Sequence, residues 1–177
     1  MSCLTVGLTI DCTNACAGGL AKFWVASKED VTALNITSGE IDTITMAGLT
    51  KFYEFEPYQE TGNFTETGER ANCNTVITQT LVAIFPCHAL ATREAIQALQ
   101  DCCCGFIVIH EENNGTRWMW GAPNSLTTLG ITYPAQLTNF ETVTGTAIND
   151  QNQSTITLTS RGTVQAIPVA STVVIPV

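Results

Sequence analysis

Positive charge is scarce in this chain. Its 177 residues include seven Lys and Arg against 16 Asp and Glu, a formal net charge of −9. The seven bases (Lys22, Lys28, Lys51, Arg70, Arg93, Arg117 and Arg161) are scattered along the sequence. A protein that grips a phosphate backbone gains affinity by setting Lys and Arg against it and releasing counterions. This distribution therefore argues against an adhesive nucleic-acid groove, and any contact with nucleic acid should be non-adhesive. Charge of either sign is also low, 13% of residues against roughly 25% in an ordinary soluble domain. Polar covering falls to Thr, Asn, Gln and Ser, as in residues 142–146 and 155–159. Such a surface suits solvated strand faces and contact with neighbours alike.

Long hydrophobic runs are missing too. No stretch approaches the ~18 apolar residues that crossing a bilayer requires, so no membrane partner is expected. The first ten residues carry no basic region and are followed by Asp11, which predicts no cleaved secretion signal and a chain kept in a reducing cytoplasm. The eight cysteines (Cys3, Cys12, Cys16, Cys73, Cys87, Cys102, Cys103, Cys104) then read mostly as small buried hydrophobes. The four glycosylation sequons, at Asn35, Asn63, Asn114 and Asn152, reflect the abundance of Asn and Thr. No linker and no repeat divides the chain, so residues 1–177 read as one domain with extended segments at 1–11 and 164–177. At this length a globule removes ~70% of its unfolded surface from water. With 45% apolar residues, a substantial core is available.

Period-two alternation predicts β structure over most of the chain. Residues 22–26 form a short apolar strand, and residues 27–36 read as a solvated loop, with a helical turn opening at Ser27 as the alternative. Residues 76–85 make the longest strand. Val76, Val82 and Ile84 lie on one face and Ile77, Leu81 and Phe85 on the other, so both faces should be partly covered. One helix is predicted over residues 92–103, with Thr92 as N-cap, Ile96, Leu99 and Cys103 at helical spacing, and Gly105 closing its end. Residues 106–110 are a strand, Asn113-Asn114-Gly115 a type I′ turn signal, and residues 116–121 the partner strand. Residues 123–139 are loop-rich, and residues 154–159 alternate as a half-buried strand. The apolar tail 164–177, holding Pro168 and Pro176, should pack along its own sheet edge or a neighbour's.

Residues 52–67 give the most diagnostic pattern. Tyr53 and Phe55 fall on one side of a strand, Glu54 and Glu56 on the other. Pro57 marks an edge, Gly62-Asn63 a turn, and residues 64–67 a return strand. This predicts a protruding hairpin bearing Glu54, Glu56, Glu60, Glu66 and Glu69. An isolated ribbon of two strands is marginal in water, so Tyr53, Phe55 and Phe64 should hold it against a neighbouring subunit. The same alternation would serve two further strands of the chain's own sandwich.

Signs of site chemistry are weak. Cys12, Cys16, Cys87, His88, Cys102, Cys103, Cys104 and His110 offer zinc-type ligands, but their spacing is not that of a ribbon or finger, and buried thiols are the plainer reading. Cys103 with His110 and Asp101 could form a nucleophile pair, yet the end of a helix with its negative pole disfavours a thiolate. Residues 17–20 lack the Lys and Ser/Thr of a phosphate loop. Trp118 and Trp120 share a strand face, as in a ligand-stacking platform, although core or interface packing is the commoner use. No cofactor, metal or catalytic group is expected, and the chain does not read as an enzyme.

The order of elements carries a resemblance. Residues 75–99, then 106–121 with the Asn-Gly turn leading into an aromatic strand that ends in Gly121, then the Gly145-Thr146 loop leading into alternating residues 154–159, resemble tail-tube proteins of tailed bacteriophages. The resemblance covers roughly the C-terminal half. It departs from the pattern at Cys102-Cys103-Cys104 and at residues 27–39. It implies a mainly β fold, a sandwich or barrel-like domain with one flanking helix and a long protruding hairpin. It further implies hexameric rings stacked into a virion tail tube assembled in the host bacterial cytoplasm, with tape measure, tail terminator and baseplate or tip proteins as partners. A bore through which DNA slides should repel phosphate, the role expected of the five glutamates. The alternatives are a head decoration or tail completion protein, a carbohydrate-binding sandwich using Trp118 and Trp120, and, last, a metal-dependent enzyme.

Overall fold

The computed structural model describes residues 18–72, 74–86, 89–121, 133–147, 150 and 152–177. Among them the chain forms eleven strands and one helix, a mainly β arrangement of two sheets. The large sheet runs in the order β2 (Val31–Thr37), β3 (Glu40–Met46), β11 (Ile167–Val169), β8 (Arg117–Trp120), β7 (Phe106–Glu112), β1 (Leu20–Ser27) and β4 (Tyr53–Phe55). The small sheet is β5 (Asn63–Ala71), β6 (Asn74–Pro86), β10 (Gln153–Gly162) and β9 (Gln136–Val143). Neighbouring strands are antiparallel except for β11 against β3.

Two cores result, one on each face of the large sheet. Between the sheets, Phe23, Val25, Val108 and Trp120 meet Leu81, Ala83, Ile156 and Leu158. On the opposite face, Trp24, Ile107, Ile109 and Met119 cluster with Ile41, Phe52 and the tail residues Val173 and Ile175. Burial of a side chain of this size stabilises by about 1.5–3 kcal/mol, so each face of β7 is a core in its own right. The tail therefore packs within its own chain. Phe52 N donates to Pro176 O at 2.7 Å, Ala170 N to Ile41 O at 2.9 Å and Arg117 Nη1 to Val173 O at 3.2 Å.

The expected hairpin over residues 52–67 does not form. Its first strand, β4, joins the edge of the large sheet beside β1, and its second, β5, pairs with β6 in the small sheet. The residues between them cross from one layer to the other, with Glu60 at φ +63° and Gly62 beneath Leu20. Phe55 stacks on Phe23 with ring centroids 5.1 Å apart, and Phe64 lies 4.2 Å from His110 and 5.4 Å from Trp120. Their aromatic faces are satisfied inside the domain. The long hairpin is instead β5–β6. Pairing of β6 with β10 ends at Ile77 opposite Gly162, so the tip beyond it is held by β5 alone.

Other boundaries shift for local reasons. The segment read as a loop holds β2, joined to β3 by Ser38 and Gly39 at φ +56° and +90°, the two positive values of a two-residue type I′ turn. At Asn113-Asn114-Gly115 only Gly115 has positive φ, and Gly115 N donates to Glu112 O at 2.8 Å. That connection is a three-residue loop with a type I turn and a left-handed glycine. The helix, α1 (Leu90–Asp101), starts two residues before the expected one, with Ala89 at its N-cap and no side-chain cap. Ile96 and Leu99 dock it on the inter-sheet core. A Cβ on Gly105, at φ +83°, would lie 2.6 Å from Pro134 Cγ, so glycine is required at that exit.

Candidate functional site

The most distinctive surface is the outer face of the small sheet. Along β10, Ser154, Ile156, Leu158 and Ser160 point inward and are buried, while Thr155, Thr157 and Thr159 point outward. Register extends the threonines across the sheet: Thr65 faces Thr80, which faces Thr159, and Thr67 faces Thr78. Thr138 of β9 adds a hydroxyl contact to Thr159 at 3.0 Å. β-branched residues fit a pleated, half-solvated surface, so the sequence builds a face of hydroxyls and methyls in which Val76, Val82 and Ile84 of β6 lie among the threonines. Its charged groups are few: Glu69 near the hairpin tip, Glu141 opposite Thr155, and Arg161 opposite Thr78.

The inward polar groups of this sheet are satisfied. Gln79 Nε2 donates to Glu66 Oε2 at 2.8 Å, Ser160 Oγ to Tyr133 O at 2.7 Å, and Ser154 Oγ lies 3.1 Å from Thr142 Oγ1. The sheet's two edges differ from its faces. Among the described residues β5 and β9 each have one strand neighbour, and the far edge of each has none. Over its eight residues β9 contains one charge, Glu141, and neither Pro nor Lys. It also exposes Phe140 and Val143. Open edges are normally blunted by charge, proline or a bulge next to solvent. This one has a bulge on its paired side, between Thr157 and Leu158 of β10.

The five predicted glutamates are not brought together. Glu54 lies on the large sheet, 3.6 Å from Lys22 Nζ. Glu56 and Glu60 flank the crossing between layers and are exposed. Glu66 points inward, accepting from Gln79 and from Ala166 N at 2.8 Å, and so ties the tail to the hairpin. Glu69 alone of the five reaches the outer face of the small sheet. Of the three aromatics, Phe55 and Phe64 are core contacts, and Tyr53 remains exposed beside Lys51, whose Nζ lies 5.5 Å from its ring centroid. Glu141 was missed because β9, the strand that carries it, starts inside residues 123–139, which read as loop. The run Phe140-Glu141-Thr142-Val143, rich in β-formers, carried a usable strand signal.

Trp120 is buried in the inter-sheet core and Trp118 half-buried, so they do not form an exposed stacking platform. Cys103 and Cys104 are exposed at the end of α1. The Glu29 carboxylate raises the Cys104 thiol above its usual pKa, by hydrogen bond and by charge, which favours the thiol over the nucleophilic thiolate. His110 is fully buried, its ring nitrogens meet no partner among the described residues, and burial pushes its pKa down to about 4. No Cys103–His110 pair is therefore formed. Among the described residues no group of three His, Cys, Asp or Glu is placed to hold a metal, and no helix is long and apolar enough to cross a membrane. Cys12, Cys16, Cys87, His88 and the segment 1–11 lie outside the described residues. No family model, no curated protein and no solved structure matches the chain.

Proposed function

We propose that this chain is a self-assembling structural subunit of the tail-tube kind, a ring-forming protein that lines a conduit for DNA. The observation that carries the reading is the small sheet, with a hydroxyl-covered outer face and open edges on opposite sides. Pairing β5 of one copy with β9 of the next is a head-to-tail contact, which closes into a ring when the rotation is right. It satisfies both rows of backbone groups without a new element. The six copies that the tail-tube resemblance implies would join roughly twenty-four strands. At ~4.8 Å per strand their ring has a diameter on the order of 40 Å.

The outer face of the small sheet becomes the wall of the bore in this arrangement. Threonine hydroxyls hydrate it, and Glu69 and Glu141 outnumber Arg161, so the net charge of the wall repels phosphate and DNA meets a surface to which it does not adhere. The acids of the bore are thus Glu69 and Glu141, in place of the larger set expected from the sequence. Stacking of rings, with tape measure, terminator and baseplate proteins at the ends, follows from the same resemblance.

The test is electron microscopy and sedimentation of the purified protein across a concentration series, beside Phe140→Lys, which sets a charge on the β9 edge. Rings or tubes are expected for the natural chain. The variant should keep its melting temperature and lose the assemblies. A natural chain that stays monomeric at every concentration, or a variant that assembles equally well, overturns the reading.

A further inference from the structure

A second site lies between the sheets, where β5 passes the start of the tail. Phe64, Glu66, His110, Glu112, Trp118 and Gln165 line an open pocket of about 320 Å³ there. Three features distinguish it from a packing gap. The first is polar: His110 is fully buried, and among the described residues neither of its ring nitrogens has a hydrogen-bond partner. Such groups lose hydration without recompense when left unpaired, and a native protein that keeps them calls for a ligand or ordered water.

The second feature is charge. Glu66 Oε2 is held by Gln79 and Ala166, and Glu112 Oε2 accepts from Asn114 Nδ2 at 2.9 Å. The third is what is missing: among the described residues no Lys or Arg lines the pocket. Two carboxylates thus face an indole and a phenyl ring with no cation between them.

We propose that this pocket binds a guanidinium group. A guanidinium is a planar cation that only donates. Its fork matches a carboxylate, its face stacks on an aromatic ring, and its weak hydration makes it easier to draw from water than an ammonium. The imidazole lies buried behind the Phe64 ring, 4.2 Å between centroids, and so reports on occupancy of the pocket. The group can come from a free arginine-like molecule or from an arginine of a second copy. Arg70 is the suitable side chain in the latter case, exposed near the projecting tip of β5–β6. The proposal stands independently of the tubular reading.

Nuclear magnetic resonance of the isotope-labelled full chain tests it, with methylguanidinium as probe and N-methylurea as neutral control. The expected result is a saturable shift of the Trp118 indole and His110 ring signals with methylguanidinium and none with methylurea. Affinity should fall on the order of tenfold or more in Glu112→Gln. Glu112 is the position to change because Glu66 also holds Gln79 and the tail. No saturable shift, equal shifts with methylurea, or an unaltered affinity in Glu112→Gln overturns the proposal. Sedimentation then separates the sources. If Arg70→Ala and Glu112→Gln reduce self-association equally and the double variant no further, the guanidinium belongs to a second copy. If self-association is unchanged while methylguanidinium binds, the ligand is a small molecule.

Discussion

Along β7 five consecutive residues, from Phe106 to His110, are buried, whereas along β10 burial alternates from Ser154 to Ser160. The two strands have similar β-forming composition and differ in what lies behind them. The large sheet is covered on one face by the small sheet and α1, and on the other by its own curled hairpin and tail. Among the described residues the small sheet has one covered face. Continuous apolar runs belong to strands buried twice, alternating runs to strands buried once. Stability is therefore concentrated in the large sheet, and the small sheet is left with a face and two edges for other use.

Removing the tail is the largest way to break this difference. Deletion of residues 173–177 uncovers the outer core by taking away Val173 and Ile175, and it strips Phe52 N and Arg117 of their carbonyl partners. Burial of two such side chains amounts to about 3–6 kcal/mol, an upper estimate because the unfolded chain is already partly compact. Urea denaturation should show most of that loss. A deletion that costs under ~1 kcal/mol would mean the second face of the large sheet does not depend on the tail.

Acid probes the same sheet through His110, the polar end of the buried run. Its folded pKa is lowered by burial from 6.5 to about 4. As pH falls, the unfolded chain takes up this proton near 6.5 and the folded chain only near 4, so stability is fully present above 6.5 and is lost between these values. At 1.36 kcal/mol per pH unit, the loss between about pH 7 and about pH 4.5 is on the order of 2–3 kcal/mol. Carboxylates titrate near the lower end of that range, so the measure is the difference between the natural chain and His110→Leu in urea denaturation at both pH values. His110→Leu should lack this component of the acid sensitivity, and equal sensitivity of the two would place the imidazole in water.

What the sequence made legible follows from the same contrast. Alternation in residues 154–159 located β10 and its inward face, and the apolar residues spaced through 76–85 located β6, although they predicted cover on both faces and, of its apolar side chains, Ile77, Leu81 and Ala83 on one face are the buried ones. Alternation assigns residues to a face without naming the sheet that receives it. Tyr53 and Phe55 satisfied a free hairpin and a sandwich edge equally well, and only the stacking of Phe55 on Phe23 decides between them. Thr92 resembled an N-cap, yet α1 begins at Leu90 because Ile96 and Leu99 fix the helix by tertiary docking. The Ser38-Gly39 turn was readable as hairpin chemistry. It was passed over because the strand before it, Val31 to Thr37, is interrupted by exposed Thr32, Ala33 and Asn35. The pocket at His110 had no sequence signal, since it needs residues 64 and 110 to meet across two sheets.

The smallest expected effect is the most discriminating for the small sheet. Thr157 points outward in the middle of β10, opposite Val82 on one side and Asn139 on the other. Replacing its hydroxyl by a methyl, in Thr157→Val, keeps the branched shape and the strand propensity. On a solvated face the change should lie within about 0.5 kcal/mol in either direction. A hydroxyl buried with a partner would instead lose about 1 kcal/mol or more. A loss of that size in dilute, monomeric protein would show that this face is covered within a single chain. The face would then be unable to form the wall of a bore, and the division of labour between the two sheets would fail with it.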